Sequence, residues 1–331
     1  MIALDRRLSS TWNSNDFKDP MRKITAERLA FLMDGAETNL NPLKPEVRIF
    51  DDGVVRHRNQ TYFEGAHRRD AVRYLLDLYL PAEHQWGDAR SIVMFIHGGG
   101  WRIGSKDDLY GLYGRIGRIF ARRGIAFAAI NYRLTPRVQH PGHICDVARA
   151  FGFLRARASK FDYSLESMFL MGHSAGSHLA SLLALNPRFL RSHGLDCGTE
   201  VRGVISMSGL YDLRGIDRFL PVELEESAAA SHVARHSLAK AGLAFPPDSL
   251  ADASPILHVS AMAPPFLLIC EDLGDFMIEE TRRFATAIGK ARVEHSVIMM
   301  PESNHISMLI DLARRGNPTL GQIVGFVCDH G

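Results

Sequence analysis

Along the chain, short apolar runs alternate with longer stretches whose apolar residues recur at helical spacing. The runs cover 92–96, 125–130, 168–171, 201–207, 266–270 and 293–299. Between them, 108–122, 143–158, 176–185 and 276–288 read as helices. Near-continuous apolar runs signal strands buried on both faces, and their alternation with helices signals right-handed crossovers. Two earlier strand-like segments, 47–50 and 74–79, have no helix between them. The pattern therefore predicts an α/β fold: a mostly parallel central sheet, helices on both faces, and antiparallel N-terminal edge strands.

Two stretches break this rhythm. Residues 1–45 are polar apart from an amphipathic segment at 24–33, where Ile24, Leu29, Phe31, Leu32 and Met33 suggest a helix that docks on the body or on the mouth of a site. Residues 213–262 hold a helix-prone segment at 222–241, then Pro246-Pro247 and Pro255. They read as an insertion above the sheet, a small helical cap. The expected organisation is an arm over 1–45 and one domain over 46–331, and 331 residues suffice for one large core.

Composition narrows the partners. The 39 basic and 37 acidic residues nearly cancel, giving no electrostatic case for nucleic acid or an anionic membrane. Arg68-Arg69 and Arg122-Arg123 are short runs that solvation explains. No stretch approaches the roughly 20 apolar residues of a membrane span, and the N-terminus lacks the apolar run of a signal peptide. Cys145, Cys197, Cys270 and Cys328 are widely spaced and read as free thiols in a reducing compartment, so a soluble cytoplasmic protein is expected. Neither a metal nor a cofactor is expected: His140 and His143 lack a nearby third ligand, and Gly111, Gly114 and Gly117 suit close helix packing rather than a dinucleotide loop. The oligomeric state stays open, a homo-oligomer included.

Two motifs carry chemistry. Gly172-His173-Ser174-Ala175-Gly176 follows the run 168–171 and opens a helical segment, the context of a nucleophile elbow. A sharp turn there strains the serine backbone and tolerates only small neighbours. Ala175, directly after the serine, offers its N–H to a developing anion. His97-Gly98-Gly99-Gly100-Trp101 ends the run 92–96, and successive glycines let backbone N–H groups approach a ligand closely. Trp101 and Phe31 suit either a pocket wall or core packing.

With Asn131-Tyr132-Arg133-Leu134 after the next strand, these motifs resemble the α/β-hydrolase superfamily, in particular its hormone-sensitive-lipase-like and kynurenine-formamidase-like serine esterases. The resemblance runs from about Tyr74 to the C-terminus and leaves the arm and the insertion uncovered. It implies that Gly99 and Gly100 supply oxyanion N–H groups. It also implies the order serine, acid, histidine, which among fifteen histidines favours His305 on the loop after 293–299. The acid belongs after 266–270, where Glu271, Asp272 and Asp275 lie. The family spacing favours Asp275 with one residue more than the common pattern, Asp272 being the alternative, and the usual glycine after this strand is missing.

The expected function is a serine carboxylesterase acting on small-molecule esters of short or medium acyl chains through an acyl-enzyme on Ser174. An arylformamidase with the same mechanism is the alternative, and a non-catalytic receptor on a hydrolase scaffold is the reading from another class.

Overall fold

The computed structural model describes residues 44–86, 90–161, 163–164, 167–214, 244–272, 275–314 and 316–331. The expected helices at 24–33 and 222–241 lie outside the described residues. Nine strands form one sheet in the order β1-β2-β3-β5-β4-β6-β7-β8-β9. They are β1 (Glu46–Ile49), β2 (Val55–Thr61), β3 (Leu75–Leu80), β4 (Ile92–Ile96), β5 (Ala126–Ile130), β6 (Met168–His173), β7 (Gly203–Met207), β8 (Phe266–Glu271) and β9 (His295–Met300). From β5 onward across the sheet every pairing is parallel, whereas β1, β2, β3 and the β3–β5 junction are antiparallel.

The apolar runs form strands because every residue of β4, β5, β6, β7 and β8 is buried. Alternate residues serve opposite faces. Ile92, Met94 and Ile96 pack under helices α2 (Gly142–Phe161), α3 (Ala175–Leu185) and α6 (Asp275–Lys290). Val93 and Phe95 pack under α1 (Asp108–Ala121), α7 (Ser307–Leu312) and α8 (Pro318–His330). Two short helices, α4 (Arg188–Arg191) and α5 (Cys197–Glu200), complete the described set. Gly114 and Gly117 in α1 do mark close packing: a methyl group on either would come within 2.7 Å of the Tyr79 ring or hydroxyl, while Gly111 faces open space.

The antiparallel edge contains one strand more than the two expected. β2 reads Val-Arg-His-Arg-Asn-Gln-Thr, too polar to betray a strand, and it carries Arg56 and Arg58 in buried positions. Burial is tolerated because the cations meet carboxylates. Arg58 pairs with Asp107 at 3.1 Å, and Lys106 pairs with Asp107 at 2.8 Å and with Asp77 of β3 at 2.9 Å. Asp77 also accepts the Asn59 N–H at 2.8 Å, next to a register shift in β2.

β4 lies between β5 and β6, and the helices that follow β4 and β6, α1 and α3, pack on opposite faces of the sheet. Such a switch point opens a crevice at the strand ends. The loops after β4 and β6 both emerge there. The Lys106–Asp77 pair fastens the far end of the β4 loop to the sheet. We predict that Asp77→Ala, which strands a buried ammonium with Asp107 alone, lowers the unfolding free energy by about 3 kcal/mol in urea titration.

Candidate active site

Ser174 lies between β6 and α3, with φ +55° and ψ −121°. A non-glycine residue takes such a conformation only where its surroundings over-determine it. Here the Ser174 N–H donates to Met207 O at 2.9 Å, and Ser174 O accepts from His178 N–H at 3.0 Å. Gly176 is required by contact: a Cβ there would stand 1.9 Å from Ile96 O. The helix can therefore start hard against the end of β4, and Ser174 remains partly exposed while both chain neighbours are buried.

The glycine loop touches this turn. A methyl group on Gly98 would lie 3.3 Å from the Ser174 Cβ. Gly99 has φ +107°, and its carbonyl accepts from Arg102 and Ile103 N–H groups, both at 3.1 Å, folding the loop back on itself. Among the described residues, the N–H groups of Gly99, Gly100 and Ala175 have no hydrogen-bond partner. Trp101 is fully buried rather than part of a pocket wall. It donates its indole N–H to His178 Nδ1 at 3.2 Å and packs edge-on against Phe245.

His305 sits on the loop after β9, beside the elbow. His173 Nε2–H donates to His305 O at 2.8 Å, and the two rings lie 4.6 Å apart. His305 Nδ1–H donates to a carboxylate at 3.0 Å, leaving Nε2 free for a hydroxyl. That carboxylate is Glu271, the last residue of β8. The contact falls to Glu271, where the family spacing favours Asp275 with Asp272 as the alternative. Asp275 instead opens α6, and Asp272 accepts the N–H groups of Glu302 and Ser303 at 2.7 and 3.0 Å, pinning the loop that carries His305. The physical reason is reach: a glutamate is one methylene longer than aspartate, so that a residue at the strand end itself meets the imidazole. The signal in the sequence was a carboxylate ending an apolar run, where a buried charge needs a partner.

Glu271 is 1% exposed. Burial alone pushes its carboxyl up, but the His305 imidazole and the Ser208 hydroxyl outweigh that and hold it at about 2. Ser208, which no sequence motif flagged, donates its hydroxyl to Glu271 Oε2. The other nearby imidazoles are neutral. Burial drives His97 down to about 4, and His173 and His178 down to about 3. Acceptors fix their tautomers: His97 Nδ1–H faces Gly98 O at 2.7 Å, and His178 Nε2–H faces Ala253 O at 2.7 Å. His140 and His143 are likewise engaged, with Asp252 at 2.6 Å and Thr135 at 3.0 Å, and no metal-binding group of three or more such side chains occurs among the described residues.

A serine on a strained strand–turn–helix, a histidine held by a buried carboxylate and unclaimed N–H groups at two strand ends define an α/β-hydrolase with the makings of a serine hydrolase site. The chain belongs to the BD-FAE family, whose model matches residues 76–279. It is 29% identical over 286 residues to Esterase LipC of Mycobacterium tuberculosis, covering 83% of this chain and 67% of the relative. It is 31% identical over 198 residues to the probable carboxylic ester hydrolase LipM of the same organism, covering 59% of this chain and 43% of that one. A probable isoprenylcysteine alpha-carbonyl methylesterase of Arabidopsis thaliana, ICMEL1, is 25% identical, with 75% and 51% covered. The chain thus spans from 43% to 67% of these relatives' own lengths. In fold it matches an inhibited Esterase B of Lactobacillus rhamnosis, with a TM-score of 0.66, 20% identity and 92% and 93% of the two chains covered. It also matches an esterase of Pyrobaculum calidifontis, with a TM-score of 0.64, 18% identity and 92% and 90% covered. Among the described residues no helix is long and apolar enough to cross a membrane.

The depressed Glu271 pKa makes a stability prediction. Because the folded value lies below the unfolded value of 4.5, its contribution is complete above pH 4.5 and is lost as pH falls toward 2. The difference in unfolding free energy between the native chain and Glu271→Gln should shrink over that window by an amount on the order of 3 kcal/mol, followed by urea titration at each pH.

Proposed function

We propose that this chain is a serine carboxylesterase for small esters of short or medium acyl chains. The observation that carries the reading is the Glu271–His305 contact beside the strained Ser174. A carboxylate on Nδ1 fixes the tautomer with a basic Nε2, which is the nitrogen a serine hydroxyl needs. Ser174 Oγ attacks the ester carbonyl carbon as His305 takes its proton. The tetrahedral oxyanion is received by the N–H groups of Gly99, Gly100 and Ala175, and each such donor is worth about 3 kcal/mol of barrier. Collapse expels the alcohol, which takes the proton from His305. Water, deprotonated by His305 in its turn, then releases the acid and restores Ser174.

The named esterases among the relatives support an ester as substrate. Four free cysteines accord with a reducing, cytoplasmic setting.

These roles fix the expected activities of three variants. Ser174→Ala should lower kcat on p-nitrophenyl acetate by at least about 10³-fold without loss of fold; an undiminished rate would end the proposal, and faster turnover of a formyl anilide than of the phenyl ester would favour an amidase. Glu271→Gln should cost about 10²-fold or more in kcat, because the amide no longer holds the imidazole in its basic tautomer. Asp275→Asn in the same assay should stay within about twofold of the native rate. The reverse ranking would return the acid role to Asp275.

A further inference from the structure

Ser208 stands one residue beyond β7, fully buried, at φ +48°. That is the left-handed region, where glycine sits without strain and serine does not. Its backbone is fixed by its own N–H, which donates to Ile269 O at 2.8 Å and so extends the β7–β8 ladder past the Met207–Ile269 pair. Its hydroxyl is thereby delivered to the end of β8, against the carboxylate of Glu271.

The hydroxyl has one proton and two acceptors in reach, Glu271 Oε2 and the Met308 sulfur at 3.1 Å. An ionised carboxylate is much the stronger acceptor, so the proton goes to Glu271. The two carboxylate oxygens then have divided duties: Oε1 receives His305 Nδ1–H, and Oε2 receives Ser208. The other group near Oε2 is the Cys270 thiol at 3.5 Å, a weak donor. A glutamate reaching from a strand end has three side-chain torsions, and one hydrogen bond leaves its carboxylate free to turn about the axis of that bond. A second bond, from a group anchored on the neighbouring strand, removes that freedom.

We propose that Ser208 is a positioning residue for the reaction: its hydroxyl clamps the second oxygen of Glu271 so that the first stays in line with His305. This rests on the serine esterase reading above.

Ser208→Gly separates this role from a structural one, because it removes the hydroxyl while relieving the left-handed backbone. Native chain, Ser174→Ala, Ser208→Gly and Ser208→Ala are compared for p-nitrophenyl ester kinetics, pH profile and melting temperature. Ser208→Gly is expected to melt no lower than Ser208→Ala, to lose roughly tenfold in kcat with KM little changed, and to shift the acid limb of kcat/KM to lower pH, since a loosened carboxylate stabilises the imidazolium less. A folded Ser208→Gly with native kcat and an unmoved limb overturns the proposal. So does activity lost only in proportion to folded protein in both variants. A native chain without ester turnover sinks the esterase reading instead.

Discussion

The site depends on one steric constraint, the absence of any space between the end of β4 and the turn after β6. A Cβ on Gly176 would lie 1.9 Å from Ile96 O, and one on Gly172 would lie 2.3 Å from Gly176 O. Helix α3 must therefore leave the sheet abruptly, and Ser174 absorbs the change of direction at φ +55°. Strain of this kind costs about 1–3 kcal/mol and persists only if the surrounding contacts outweigh it. They do so here through the strand pairings on both sides of β6 and the fully buried α3. The same closeness brings the glycine loop onto the elbow, so one contact sets the position of both Ser174 and the glycine N–H groups.

Charge is distributed around that contact with equal economy. Four imidazoles stand near the elbow, and three of them, His97, His173 and His178, are kept neutral by burial and tied by one N–H to a backbone carbonyl. Only His305 combines partial exposure, 27% of its side chain, with a carboxylate on Nδ1. A neutral ring in an apolar wall cannot gain a proton without large desolvation cost, whereas an imidazolium at 305 would face Glu271. Competition among histidines, which the sequence leaves wide, is resolved by solvent access and one ion.

The mostly parallel sheet and both motif positions were legible because they rest on local pattern: apolar runs, and glycines where backbone meets backbone. β2 was not, since its arginines are buried against partners at positions 46, 77 and 107, and ion pairing across the fold leaves no mark on the local sequence. The partner of His305 was not legible for a related reason. Family spacing favours Asp275, whereas the glutamate at the end of β8 makes its contact with His305 across the fold. Ser208 was invisible: a lone serine after an apolar run acquires meaning only through the register of β7 against β8.

The third motif, Asn131-Tyr132-Arg133-Leu134, explains how a glycine-rich loop can be stiff. None of these side chains is among the groups assigned to the chemistry. Asn131 accepts Lys106 N–H at 2.6 Å and donates to Val72 O at 2.7 Å, while Tyr132 donates to His97 O at 3.0 Å and stacks on its ring. Arg133 binds both oxygens of Asp146 in α2, at 2.7 and 2.8 Å, holding the motif to the layer beneath. From the other side Arg73 donates to Gly104 O at 2.7 Å. The loop from 97 to 106 is thus gripped at its start, near its end and at its last residue by groups just after β5 and before β3. Glycine supplies clearance beside Ser174, and this outer frame supplies the fixed geometry that the proposed oxyanion role demands of N–H donors.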